Sequence, residues 1–253
     1  KQKNKNMVNK YFTVEVKPTI AASKQHAGGF TAGLVMWDWL AVQVPKGSSN
    51  LIGASLLTRP KGDAGPTANN FPMDLIFSKT NTVSLGTAGA ALNNRPTNDL
   101  LGLIEFAAGN FGASSMPSTN IATTGWGSSI GAPPIVITPD PTTGDNVGYD
   151  TIYVAGVSRH ANWDFQSILV VSDADIASAA HTSIVTAGSS MDNREHFIAG
   201  DVIHAQDDAV VGTLASVAES GITLTSELGT SVLTNGDTLY NINPIRAILY
   251  FEK

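Results

Sequence analysis

The feature that most restricts this chain is the near absence of sustained 3.6-residue apolar periodicity across its 253 residues. Apolar side chains instead recur at every second position in short runs, and clusters of Gly, Pro, Asn and Asp separate one run from the next. Strict alternation sends successive side chains to opposite faces of an extended segment, so the pattern predicts an all-β protein. One candidate helix stands against it, the brief Ala-rich stretch Ile176 to Ser183. The preceding Ser172-Asp173-Ala174-Asp175 can cap it, because Asp side chains accept from the free amides of a helix start.

The runs can be followed along the chain. Phe12, Val14 and Val16 alternate with Thr13, Glu15 and Lys17 until Pro18 ends the segment. From Gly33 to Val44 both parities are apolar, with Trp37 and Trp39 opposite Met36, Leu40 and Val42, the pattern of a central strand whose tryptophans belong to a core. Leu51 to Leu57 and Phe71 to Phe77 resume strand character. Leu100 to Phe106 fits a buried strand or a short helical segment equally well. Residues Gly109 to Gly148 are rich in turn formers, yet Ile135, Val136 and Ile137 predict a short strand inside this long loop. Tyr149 to Val157 and Trp163 to Val171 are expected to pair around the turn Arg159-His160-Ala161-Asn162.

The clearest array runs from Phe197 to Ile242. Turns at Asp207-Asp208, Glu219-Ser220-Gly221 and Asn235-Gly236-Asp237 divide it into short strands at roughly ten-residue spacing, the pattern of a small barrel or meander. Arg246 to Glu252 then supplies a terminal strand. Because its flanks read as core strands of a larger body, the expected organisation has three parts. Residues 1–10 form a flexible cationic arm carrying Lys1, Lys3, Lys5 and Lys10. Residues 11–190 with 243–253 form a jelly-roll-like β-sandwich, and residues 191–242 form a small β-barrel or meander lobe inserted near the C-terminus.

Composition narrows the function classes. A net charge of −6 argues against a nucleic-acid partner, since phosphate recognition needs a clustered positive field. The absence of Cys removes disulfides, thiol nucleophiles and thiolate metal sites. No run reaches the about 18 apolar residues of a membrane span, and the first residues lack the apolar core of a signal peptide. A soluble chain without a membrane partner is therefore expected, and the initial Lys leaves an upstream segment open. With charged residues at only 14%, its surface is neutral-polar, a type suited to packed assemblies.

No catalytic constellation is legible. His26, His160, His181, His196 and His204 have no zinc-type spacing. His196 and His204 do flank a strand beside Asp201, Asp207 and Asp208, where solvent-facing turn residues are the expected reading and a metal or proton-transfer site the alternative. Arg59 to Asn70 is a loop without P-loop spacing, and Asp140, Asp145 and Asn146 form a turn without EF-hand spacing. Gly125-Trp126-Gly127-Ser128-Ser129 lacks the serine elbow. Glu105, Asp164 and Glu195 are undistinguished carboxylates. Trp126 in its Gly-rich loop and Trp163 after a turn are the candidate sugar-stacking aromatics of a carbohydrate-binding alternative. The reading is non-enzymatic, with no catalytic, cofactor or metal residues.

Three stretches carry a resemblance: VPKGSSNLIGASLLTRPKGDAGPT at Val44 to Thr67, DTIYVAGVSRHANWDFQS at Asp150 to Ser167, and GDVIHAQDDAVVGTLASVAESGITLTSEL at Gly200 to Leu228. They resemble virion structural proteins of tailed bacteriophages, particularly marine phages. The major shell protein of that group usually has a long spine helix, which this sequence cannot supply. The resemblance therefore implies a capsid decoration or cement protein on the outer capsid surface. Its implied partners are the major capsid protein and neighbouring copies of itself, and a homo-oligomer is left open. A tail-fibre or receptor-binding domain is the competing role.

Overall fold

The computed structural model describes residues 10–26, 28–62, 66–67, 70–93, 98–112, 120–125, 135–137, 149–160, 163, 165, 182–185, 192–228, 233–234 and 236–253. In chain order the strands are β1 (Tyr11–Val16), β2 (Val35–Pro45), β3 (Ser49–Thr58), β4 (Lys61–Gly62), β5 (Pro66–Thr67), β6 (Met73–Ser78), β7 (Leu100–Phe106) and β8 (Asn120–Gly125). They continue with β9 (Ile135–Ile137), β10 (Tyr149–Ser158), β11 (Ser183–Val185), β12 (Val202–Ala205), β13 (Val210–Ala218), β14 (Gly221–Leu224), β15 (Leu239–Asn241) and β16 (Ile245–Glu252). Helical structure among the described residues is confined to short 3-10 turns at Ala22–Lys24, Ala108–Asn110 and Asn193–Glu195.

Eight of these strands make a jelly-roll sandwich. Their antiparallel pairings are nested: β1 with β16, β2 with β10, β3 with β8, and β6 with β7. Rolling this long double ribbon adds the lateral pairs β16–β3 and β10–β6. Two facing sheets result, ordered β1-β16-β3-β8 and β2-β10-β6-β7, with β9 joined to β3. The all-β sandwich expected from alternation is thus the observed fold. In β16, Ile245, Ala247, Leu249 and Phe251 turn inward and are fully buried, while the intervening residues face outward. Phe12 lies directly opposite Phe251 across the β1–β16 ladder, and their rings stack at 4.8 Å.

Several local expectations change. β2 is an edge strand rather than a central one. Its two-sided apolarity has another cause, because the segment 83–93 lies along its free edge. Val35 N–H donates to Ala90 O at 2.9 Å, Gly89 N–H to Val35 O at 2.8 Å, and the Trp39 indole N–H to Val83 O at 2.9 Å. An exposed edge would template pairing with another chain, and the segment covers the first part of it, from Val35 to Trp39. Trp37 is buried on the other side against β10, where Gly156 is its cross-strand partner. A Cβ at Gly156 would sit 2.3 Å from the indole ring, so the tryptophan can cross the strand only over a glycine.

Leu100 to Phe106 resolves as strand β7, and Ile135–Ile137 as β9. β10 pairs with β2 and β6, and of its expected partner, Trp163 to Val171, only Trp163 and Phe165 are described. Trp163 bridges to Phe30, and residues 166–171 lie outside the described residues. The 59–70 loop contains the small β4–β5 hairpin. Thr182 is not helical and Ser183 belongs to a strand, and residues 176–181 of the expected helix lie outside the described residues.

The Phe197 to Ile242 array sits between β10 and β16. It forms an open antiparallel sheet of order β11-β14-β13-β12-β15: β12, β13 and β14 make a meander, β11 and β15 join its two sides, and the described strands do not close a barrel. Among the described residues its end strands β11 and β15 pair with β14 and β12, not with one another. The sheet begins before residue 191, because β11 upstream contributes the buried Ile184. Buried side chains form two clusters, one between the sandwich sheets and one on the inner face of this lobe. Residues 1–9 lie outside the described residues, but Lys10 is no free arm: its backbone exchanges hydrogen bonds with Lys253, extending the β1–β16 ladder.

Candidate functional site

The connection from β15 to β16 carries the chain from the lobe into the middle of a sandwich sheet. A cleft of about 280 Å³ opens at this joint. Lys17, Leu57, Thr58, Arg59, Pro244 and Arg246 line its sandwich side, and Ile198, Gly200 and Asp201 its lobe side. Each position follows from the strands: Lys17 lies just beyond β1, Arg59 just beyond β3, and Arg246 near the start of β16.

Arg59 and Asp201 are the chief polar link across it. The Arg59 Nη2 lies 3.2 Å from both carboxylate oxygens, and both side chains are largely buried. Asp201 Oδ2 also accepts from Ile198 N–H at 2.9 Å, and Arg59 N–H donates to Pro244 O at 2.8 Å. On the open side Glu15 contacts Arg246 and lies 3.4 Å from Lys17. The lining of the cleft pairs no nucleophile with a base. Its half-exposed Lys17 and Arg246 offer donors to a carboxylate or backbone carbonyl, which is chemistry for a protein contact.

The structure separates the sequence-predicted His–Asp cluster into unlike parts. His196 is buried rather than solvent-facing, and burial, with the Arg59 charge adding to it, pushes its pKa down to about 4. Asp201 serves Arg59. Asp207 accepts from Ala209 N–H at 3.0 Å within the β12–β13 turn. Asp208 occupies a left-handed conformation, φ 70°, and its carboxylate accepts from Ser23 N–H at 3.0 Å, a second tie between lobe and sandwich. Burial alone would raise the Asp208 pKa, but hydrogen bonds from Ser23 and Ala22 with the His204 charge outweigh it and hold it low. The His204 ring Nδ1 stays local, 2.9 Å from Asp208 O. Among the described residues no group of three or more His, Asp or Glu is placed to hold a metal ion.

Glu105 has company that the sequence alone conceals. Across β6–β7 it stands directly opposite Asp74, and Arg159 contacts Glu105 and lies 3.7 Å from Asp74. Burial raises the Asp74 pKa; Arg159 opposes that shift and Glu105 adds to it. Outward alternation in MDLIFS and LLGLIEF puts both carboxylates on one outer face, Glu105 exposed and Asp74 partly buried, but their pairing requires the strand register. His160 stacks on Phe71 at 4.0 Å, and Phe71 meets the buried Trp163 edge-on at 5.5 Å. Trp163 therefore belongs to the core and offers no sugar platform. Trp126, Asp140, Asp145, Asn146, Asp164 and His181 lie outside the described residues, as does the Glu195 side chain.

No family model matches this chain, and no curated protein matches it. Among solved structures, the chain aligns with one described as "Crystal Structure of the STIV MCP", at 11% identity over 96% of each chain, with a TM-score of 0.14. Similarity at that level carries no argument about function.

Proposed function

We propose that this chain is a non-enzymatic virion structural protein that decorates a phage capsid and stabilises its shell by binding the major capsid protein. The observation that carries this reading is a jelly-roll body with apolar side chains exposed where its two sheets meet. Leu100 and Leu103 on β7 and Val136 on β9 are each more than half exposed, at 58%, 55% and 56%. β7 and β9 approach each other at one edge of the sandwich, and the backbone of Gly102 lies against Ile135. Large apolar residues held outward on strands, rather than on loops, favour contact with a preformed protein surface. Jelly rolls serve capsid shells and lectins alike, so the fold supports the class of role by analogy. The phage-type stretches narrow it, and the charge-poor surface agrees.

The reading is tested by mixing purified protein with capsids stripped of accessory proteins and pelleting them. Saturable co-sedimentation is expected, with copy number in proportion to the shell lattice, reduced at least tenfold by Leu103→Asp with Val136→Asp. Binding of glycans lost in Trp126→Ala, without capsid binding, would replace this reading with a receptor-binding one. Turnover of a polysaccharide would replace both with an enzyme.

A further inference from the structure

Beneath the cleft, the polar atoms at the joint do not balance within the protein. Gln25 is fully buried, and its side-chain amide donates to Ile20 O and to Asn241 O, each at 2.8 Å. Two carbonyl acceptors define which end of that amide is nitrogen, and Oε1 is left without a protein partner. Asn241 is equally well oriented, because its Oδ1 accepts from Asn243 N–H at 2.8 Å. Its Nδ2 is then an unpartnered donor. His196, 6% exposed, has an unpartnered Nε2.

These three residues line one cavity of about 10 Å³, together with Arg59, Phe165 and Phe197 and flanked by Pro60 and Pro244. Phe165 belongs to the sandwich core and Phe197 to the lobe core, so the cavity lies where the two meet. Each buried polar group left unpaired disfavours the folded state. A volume near 10 Å³ accommodates about one water, and a buried water needs two to four polar partners. The set here suits water and little else: Asn241 donates, Gln25 accepts, and the imidazole nitrogen takes either role according to its tautomer. The cavity is too small for an organic ligand, and the Arg59 guanidinium in its lining disfavours a cation.

We infer that the joint between sandwich and lobe is built around one ordered water shared by Gln25 Oε1, Asn241 Nδ2 and His196 Nε2. The lobe is thereby seated through a hydrogen-bonded bridge, alongside the Arg59–Asp201 and Ser23–Asp208 links, and not by continuation of one apolar core. Such a seat holds orientation through directional bonds, and it yields without tearing either core.

A crystal structure at high resolution is expected to show a density peak within about 3.2 Å of all three atoms. In solution, water-to-amide cross-relaxation is expected at the Asn241 side-chain NH₂, with the sign of a long-lived bound water. The variant His196→Phe keeps a ring in place and removes one partner; a weakened cross-peak with the fold retained supports the bridge. If that variant fails to fold, the wild-type density and cross-relaxation decide the matter alone. A cavity without density, or an Asn241 NH₂ that shows no long-lived water, would overturn the inference, as would an unchanged cross-peak in a folded His196→Phe protein.

Discussion

The sandwich and the lobe bury apolar surface in different ways. Between the sandwich sheets, Phe30, Trp37, Phe77, Phe106, Trp163 and Phe251 supply bulk from strands and loops on both sides. The lobe's cluster is aliphatic apart from Phe197, and it lines one face of a single sheet. An aromatic side chain buries about 150–250 Å² and locks against its neighbours. A one-faced sheet of short strands has less to draw on and depends on what it packs against. The lobe is therefore the region whose stability is most sensitive to its seat.

The largest expected effect tests that difference directly. Phe251→Ala removes a stacked, fully buried ring and should cost about 3–5 kcal/mol in a denaturant titration of the whole fold. Ile203→Ala in the lobe should cost about 2–4 kcal/mol, and amide exchange should quicken in β12 to β15 while β16 remains protected. Equal loss of protection in both regions would erase the distinction and make the chain one cooperative unit.

Acid should act on the joint. The folded-state pKa of His196, about 4, lies below its ordinary 6.5, so the native state resists taking up a proton that the unfolded chain accepts. The associated stability is present in full above pH 6.5, is lost as pH falls toward 4, and amounts to about 3 kcal/mol at most. The contribution is read as the difference in pH dependence between wild type and His196→Phe. A slope identical in the two proteins over that range would show that the imidazole is not held neutral.

Smaller effects sharpen the contrast. Gly156→Ala should cost about 1–3 kcal/mol, because the new methyl group displaces the Trp37 ring within the sandwich, visible as altered tryptophan fluorescence. Asp201→Asn should cost about 1–2 kcal/mol by weakening the charged pair with Arg59, with faster amide exchange confined to the lobe. Glu15→Gln, which touches only half-exposed ion pairs with Arg246 and Lys17, should change stability by less than about 1 kcal/mol.

Legibility in the sequence followed the range of the interaction. β1, β16 and the β13–β14 hairpin were readable because alternation and a tight turn are local properties. The two-sided apolarity of β2 misled for the same reason: it records burial without saying whether a strand or a loop provides it. The described partners of Tyr149 to Val157, β2 and β6, lie far upstream, where a reading of adjacent runs does not reach. The site was less legible still. His196 reads as a turn residue until the lobe folds back on Gln25 and Arg59, and Asp74 acquires significance only through its register with Glu105.

By itself the sequence determined the strand class, most strand positions and the turns that separate them, since steric preference and alternation act within a few residues. Only the tertiary structure decided the nested jelly-roll order, the partly covered edge of β2, the open form of the lobe and the polar joint beneath it. Those features depend on which distant segments exclude water together, a choice made by the whole chain when it buries its faces.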